Sequence, residues 1–255
     1  MTNLRRENNK LLSNKKKTLI FIPAFNEEKT IYDVVLGVKE IMPDADILVI
    51  DDGSSDNTRC YALKAGANVF SLPFHAGGPI VIITAYLIAL SNNFSFLLKI
   101  DGDGQHDPKD LLKLYKCLAN DEADIIIGSR YMPGGQDQEA NSLIKRMGRA
   151  FTSTLIDFAI KNMKITDATS GLRGWNKKAL NTLISFYFEE NTIIPEDSVF
   201  WPYETIIANK KGLRIKEVPI TVKPRKYGRS KSYTTIRMIR YFIDLTFTVI
   251  TAIRT

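Results

Sequence analysis

The segment Lys99-Ile100-Asp101-Gly102-Asp103-Gly104-Gln105-His106-Asp107-Pro108 holds the densest group of chemically able side chains, directly after a mostly apolar run. Carboxylates at the carboxyl end of a buried parallel strand project into the crevice where open α/β sheets bind ligands. In extended backbone, residues i and i+2 face the same side, so Asp101 and Asp103 are expected to reach one cation. Gly102 and Gly104 have no side chains and let a ligand come close to the backbone. Hard carboxylate oxygens suit Mg2+ or Mn2+, usually shared with a substrate's phosphate oxygens. Helix capping ahead of Pro108 explains Asp107 but leaves Asp101 and Asp103 without a task. A second acidic turn, Asp51-Asp52-Gly53-Ser54, closes another strand-like run and would line the same crevice. Alone, Asp-Gly-Ser is an ordinary turn. His75 and His106 read as local hydrogen-bonding groups rather than metal ligands.

Spacing excludes several chemistries. No GxGxxG opens a helix and no GxxxxGK[ST] is present, so neither a dinucleotide fingerprint nor a phosphate-binding loop of that type is expected. There is no Gly-x-Ser-x-Gly elbow. Cys60 and Cys117 are far apart without CxxC spacing, which argues against a disulfide framework or zinc site and fits a reducing compartment. A phosphatase of the haloacid-dehalogenase type also uses Asp-x-Asp, but its motif continues to Thr or Val where this chain has Gln105.

Elements that could position the acidic turns alternate along the chain. Strands are predicted over 18–25, 46–51, 68–72, 94–100 and 124–129, with helices over 26–42, from Ser55 to a Gly66 cap, over 80–91, and from Asp107 to about 119. This predicts one α/β domain with a mostly parallel central sheet flanked by helices. In 143–161, Ile144, Met147, Phe151, Leu155 and Phe158 recur at helical spacing. In 236–254, Arg237, Arg240, Asp244, Thr248 and Thr251 form a narrow polar stripe on an otherwise apolar, amphipathic C-terminal helix. A spanning helix needs roughly 20 mostly apolar residues. This segment is too short for that, so packing on the body, an interfacial position on a membrane and contact with a partner subunit are its three expected fates.

The chain has 255 residues, 44% hydrophobic and 25% charged, which excludes disordered, collagenous and coiled-coil classes. Its net charge of +7 is segregated: residues 1–17 carry +5, residues 18–204 carry −8 and residues 205–255 carry +10. An acidic body with basic ends predicts an anionic surface, nucleic acid or lipid head groups, as partner. Residues 1–17 lack an apolar core, so no secretory signal is expected.

Several motifs in order carry a family resemblance. Pro23-Ala24-Phe25-Asn26-Glu27-Glu28, Asp51-Asp52-Gly53-Ser54, Asp101-Gly102-Asp103-Gly104-Gln105 and Gly128-Ser129-Arg130-Tyr131 resemble the signatures of family 2 glycosyltransferases with the GT-A fold. Asp167-Ala168-Thr169-Ser170-Gly171-Leu172-Arg173 and Arg225-Lys226-Tyr227-Gly228-Arg229-Ser230-Lys231 resemble the dolichyl-phosphate or polyprenyl-phosphate mannose or glucose synthase branch.

That resemblance implies an inverting, metal-dependent transfer of a hexose from a GDP-mannose or UDP-glucose type donor to a polyprenyl phosphate. Pro23, Ala24, Asn26, Glu27 and Asp52 would hold the base and ribose. Asp101 and Asp103 would bind Mg2+ or Mn2+ and the diphosphate, with Gln105 as a further metal ligand. Arg130 and Arg173 would sit near the acceptor phosphate or donor diphosphate, and Glu204 would be a buried acid. Arg225, Ser230 and Lys231 would close a basic loop over the phosphates, Lys231 on the donor side. The implied organisation is a basic tail (1–17), a GT-A catalytic domain (18–222) and a basic acceptor loop with the C-terminal helix (223–255). The implied location is the cytoplasmic face of a membrane, held peripherally, with a membrane subunit or second copy as further partners and no nucleic acid. The chain departs from the branch at His75-Ala76-Gly77-Gly78-Pro79-Ile80, where relatives carry an Asn-x-Gly-x-Gly-x-Ala type of loop, and Arg229 replaces a common acid. The alternative acceptor is a saccharide hydroxyl, which needs a general base; Glu196 and Asp197 are the late acids available.

Overall fold

The computed structural model describes residues 17–138, 143–160, 163–189, 194–225, 227 and 235–254. Its centre is a seven-stranded sheet in the order β3-β2-β1-β4-β7-β5-β8. The strands are β1 (Thr18–Ala24), β2 (Asp46–Asp51), β3 (Asn68–Ser71), β4 (Phe96–Lys99), β5 (Ile125–Ser129), β7 (Arg173–Asn176) and β8 (Ile215–Pro219). All pairings are parallel except those of β7, which runs antiparallel between β4 and β5. The expected mostly parallel α/β sheet is therefore present.

Both faces of the sheet are covered, and for that reason the strands read as continuous apolar runs rather than alternating ones. Along β1, Phe21 points into a core with Leu97, Tyr86, Trp175 and Phe200, while Ile20 and Ile22 point into a second with Val35, Leu98 and Leu114. The second core is closed by α1 (Ile31–Ile41) and α4 (Asp110–Ala119); α2 (Thr58–Lys64) packs beside α1. The first is closed by α3 (Gly78–Ser91), α6 (Lys177–Glu189) and α7 (Phe200–Lys210). Two further helices, α5 (Leu143–Ala159) and α8 (Thr235–Arg254), pack on that side. Phe151 of α5 meets Phe242 of α8 edge to face at 4.9 Å.

The C-terminal helix buries Leu245, Val249 and Ala252 against the body and leaves Ile243, Phe247, Ile250 and Ile253 exposed. Among the described residues no helix is long and apolar enough to cross a membrane.

Three local expectations are corrected. The helix expected from Asn26 begins at Ile31, because Asn26 takes a left-handed φ of 57° and its amide accepts from the Ser55 N–H at 2.9 Å, tying two loops together. The strand expected over 94–100 spans Phe96–Lys99, and Asp101 and Asp103 are not in extended strand: Gly102 and Asp103 form a turn, followed by Gly104 with φ 74°. β7 has no counterpart in the expected elements.

That missed strand matters for the site. Arg173 pairs with Lys99 on one side and Ile127 on the other, so the amino end of β7 lies at the sheet edge where β1, β2, β4 and β5 end. A second sheet, β6 (Gln136–Asp137) with β9 (Thr221–Val222), lies beside it. Val222 bridges to His106, and the Lys223 N–H donates to the Gln105 carbonyl at 2.9 Å. The chain leaving β9 is thereby fastened to the acidic turn.

Candidate active site

A cleft of about 430 Å3 opens at this edge. Pro23 and Ala24 at the end of β1, Glu27 beyond it, Asp52 after β2, and Asp101, Asp103 and Gln105 after β4 line it. Arg130 after β5 and Arg225 after β9 complete the expected residues that reach it. Strand ends from separate parts of the chain thus converge, as the crevice rule for open sheets demands.

The acidic turn is densely neutralised. Asp101 Oδ1 accepts from the Lys99 ammonium, which also donates to the Gly171 carbonyl at 3.1 Å and lies 5.3 Å over the Trp201 ring. Asp101 Oδ2 stands 3.2 Å from His106 Nε2. Burial would raise the Asp101 pKa, but Lys99 and His106 outweigh it and hold the carboxyl well below the usual range. Asp103 Oδ1 accepts the Gln105 N–H at 3.0 Å, and Asp103 Oδ2 lies 3.0 Å from Arg225 Nη2. Its pKa is raised, chiefly by burial and then by the Asp101 charge. Glu27 is raised for the same two reasons, burial first and Asp103 second. The Gln105 amide donates to the Lys223 carbonyl at 3.0 Å and accepts from Arg225 Nε at 3.0 Å.

These groups fit a divalent ion. The donors are hard oxygens, two neighbouring acids are held above their ordinary pKa by burial and then by repulsion, and Arg225 already places positive charge between Asp103 and Gln105. Among the described residues no three His, Cys, Asp or Glu side chains form a complete metal cage. Phosphate oxygens of a substrate would have to complete the shell, as is usual for Mg2+.

Arg130 is braced rather than loose. It grips Asp167 with Nε at 2.7 Å and Nη2 at 2.8 Å, and Nη2 also reaches Thr169 Oγ1 at 3.0 Å. Burial opposes its charge, yet Asp167 keeps its pKa above the ordinary value. Glu217 accepts from the Thr166 and Asp167 N–H groups at 2.9 and 2.8 Å, fixing the same loop from beneath. Thr169, Ser170 and Gly171 of that loop form a cleft wall.

Arg173 does not reach the cleft. It is fully buried, donating to the carbonyls of Ser170 at 2.9 Å and Ala168 at 2.6 Å and to Thr205 Oγ1 at 3.1 Å. Its guanidinium stacks 4.6 Å from the Trp201 ring and lies 3.7 Å from Glu204. A phosphate cannot approach a group whose donors are all turned inward, so the expected contact is corrected. Glu204 is buried, as the resemblance implies, and accepts from Tyr86 OH at 2.6 Å and Trp175 Nε1 at 3.2 Å.

Asp52 is also otherwise engaged. Its carboxylate accepts from the N–H groups of Ala76 at 2.7 Å and Gly77 at 3.0 Å and pairs with His75 Nδ1 at 2.7 Å. His75 in turn stacks on Phe25 at 3.9 Å. The unusual loop is therefore clamped by the side chain expected to hold the base or ribose. Asn26 is exposed and ties loops rather than lining the cleft. Ser230 and Lys231 lie outside the described residues, as does Arg229.

Sequence reasoning missed Lys99, whose signal was a lysine ending an apolar strand, and Asp167 as the anchor of Arg130. Of the two late acids, Asp197 lines the cleft, so close to the start of α3 that a Cβ on Gly78 would fall 2.1 Å from its Oδ1. Glu196 is exposed and pairs with Arg240 at 2.5 Å.

Residues 19–184 match the model of glycosyl transferase family 2. The chain belongs to that family. It is 28% identical over 222 residues to the polyprenol monophosphomannose synthase of Mycolicibacterium smegmatis, covering 85% of this chain and 81% of that protein. It is also 28% identical over 259 aligned positions to a UDP-N-acetylglucosamine–dolichyl-phosphate N-acetylglucosaminyltransferase of Methanococcus voltae, covering 90% and 95%. Similarity to such relatives places this glycosyltransferase in the polyprenyl-phosphate sugar transferase branch. Its fold matches the crystal structure of glucosyl-3-phosphoglycerate synthase from Mycobacterium tuberculosis with Mg2+ and uridine diphosphate, with a TM-score of 0.69 at 15% identity over 97% of this chain and 83% of that one. The GT-A fold expected from the motifs is the fold of this family 2 enzyme.

Proposed function

We propose that this glycosyltransferase moves a hexose from a nucleotide-diphosphate sugar, of the GDP-mannose or UDP-glucose type, to a polyprenyl phosphate, with inversion and with Mg2+ or Mn2+. The observation carrying the reading is the meeting of Asp101, Asp103 and Gln105 with Arg130 and Arg225 in one cleft. A divalent ion bound there would offset the charge gathering on the leaving diphosphate, usually the largest catalytic contribution.

The chain's own residues do the rest. Lys99 and His106 fix the Asp101 carboxylate, and Gly102 lets the acidic turn pack tightly on β1, where a Cβ would fall 3.1 Å from the Pro23 carbonyl. Arg130, braced by Asp167, offers a guanidinium of fixed orientation at the cleft, placing a lasting positive charge where phosphate would bind. A lipid phosphate has a second pKa of about 6, so it arrives ionised and needs cations rather than a general base. A single in-line displacement then inverts the anomeric carbon. The outward ridge of Ile243, Phe247, Ile250 and Ile253 on α8, together with the net +10 of residues 205–255, supports a peripheral seat on an anionic cytoplasmic membrane face.

The test is transfer of labelled sugar from GDP-mannose, UDP-glucose or UDP-N-acetylglucosamine to a short polyprenyl phosphate in detergent with Mn2+. Transfer that chelation abolishes is the expected result; absence of transfer from every donor overturns the reading. A second reading, transfer to a saccharide hydroxyl, is favoured by the place of Asp197 in the cleft, where it would be the general base. Asp197→Asn separates the two. A collapse in rate supports the hydroxyl acceptor, and a rate within about threefold of wild type supports the phosphate.

A further inference from the structure

Two of the three side chains assigned to the divalent ion share a single partner, Arg225. Its Nε donates to Gln105 Oε1 and its Nη2 reaches Asp103 Oδ2, each at 3.0 Å. The other Asp103 oxygen, Oδ1, accepts the Gln105 N–H, so the same two residues are linked through both carboxylate oxygens. A guanidinium cannot lose its proton to make way for another cation. We propose that Arg225 is a built-in counter-cation of the acidic turn, competing with the divalent ion for Asp103 and Gln105, so that loading the ion releases Arg225 toward phosphate. The inference rests on the metal-dependent reading above.

Lys99 and Arg225 differ in a way that supports this. The Lys99 side chain is 5% exposed and is held by Asp101 and a backbone carbonyl, so it stays in place. The Arg225 side chain is 35% exposed and follows a fixed point. The Lys223 N–H and carbonyl are both bonded to Gln105, at 2.9 and 3.0 Å, which fixes the backbone just ahead of Arg225. Rotation about the Arg225 side chain moves a full positive charge out of the ion's position without disturbing β9. Two cations cannot share that position, because like charges at contact distance in a partly buried site repel strongly.

The test is Mn2+ alone, titrated by electron paramagnetic resonance into the full chain at constant ionic strength. Arg225→Ala is expected to bind Mn2+ about tenfold more tightly than wild type, the scale of one charge-assisted hydrogen bond no longer displaced. Lys223→Gln removes the same charge from a side chain paired with Asp107 at 3.1 Å, and its affinity should stay within about threefold of wild type. Equal or weaker binding by Arg225→Ala overturns the inference and leaves the proposed function standing. Failure of wild type to take up Mn2+, with or without GDP or UDP, removes the metal-dependent reading and this inference with it. A readout without an Arg225 variant is trypsin cleavage after Arg225, followed by mass spectrometry. Mn2+ should accelerate it in wild type but not in Asp103→Asn; the same rate with and without Mn2+ in wild type overturns the proposal.

Discussion

Two charged networks lie on either side of the amino end of β7 and are built to opposite ends. The Arg173–Glu204 network is closed: both side chains are fully buried, and Tyr86, Trp175, Thr205 and backbone carbonyls complete their hydrogen bonds. The network of Asp101, Asp103, Glu27 and Arg225 is open and lines a cleft, and burial, joined by neighbouring like charges, raises two of its acids. A closed network fixes a loop; an open one keeps binding capacity for a ligand. Sequence motifs mark both alike, so only burial tells which arginine serves structure and which can serve phosphate.

Breaking the closed network should produce the largest change in stability. Glu204→Ala leaves the Arg173 charge buried beside an emptied site, a change that typically costs about 3–5 kcal/mol. Urea unfolding should register this as a lower midpoint with little change in slope. If the midpoint hardly moves, Arg173 keeps partners enough without Glu204 and the network is not closed.

The open network should respond in the reverse manner. Asp103→Asn is expected to lower the transfer rate by at least about a hundredfold, on the order of 3 kcal/mol of barrier. Stability should hold or rise slightly, since the change removes one of several crowded negative charges. Parallel rate and thermal-melt measurements check both halves, and a large drop in melting temperature would place Asp103 with Glu204 instead.

The pH dependence of the closed network sharpens the contrast. Burial pushes the Glu204 carboxyl above its ordinary value, outweighing Arg173 and the Tyr86 and Trp175 hydrogen bonds. An acid raised in the folded state binds more protons folded than unfolded. Its contribution is therefore fully present below the unfolded value of about 4.3 and is lost as pH rises through the folded one. Glu204→Gln has no such titration. Wild type should lose stability relative to Glu204→Gln as pH rises from about 4.3, read from urea midpoints at successive pH values.

How much of this was legible in the sequence follows the same division. Strand ends β1, β2 and β4 were readable because apolar runs stop abruptly at acidic or glycine-containing turns, and that alone located Asp52, Asp101 and Asp103. Local pattern could not reveal β7. Arg173-Gly174-Trp175-Asn176 lacks a β-branched run, and its strand character comes from β4 and β5 on either side. The same blindness misassigned Arg173, because burial is a property of three-dimensional neighbours such as Trp201 and Thr205. Asp101 and Asp103 were placed in extended backbone, but the strand stops earlier and a turn brings them to the cleft. Lys99 was legible in principle, since a lysine at the end of a buried strand needs a partner, and Asp101 is two residues away.

The smallest expected effect concerns neighbouring acids, Glu196 and Asp197, which differ in place as the two networks do. Glu196 and Arg240 form an exposed pair at 2.5 Å, with side chains 61% and 66% exposed. Solvent screens such a pair and holding two long side chains together costs entropy, so the pair is worth about 0–1 kcal/mol. Glu196→Gln should accordingly leave the rate unchanged and shift stability by less than about 1 kcal/mol, an effect that fades with added salt. Asp197 faces the cleft beside the start of α3, and its removal tests the acceptor. If Glu196→Gln slows transfer while Asp197→Asn does not, the exposed Glu196–Arg240 pair carries function from α8 to the cleft, and exposure ceases to separate the two acids.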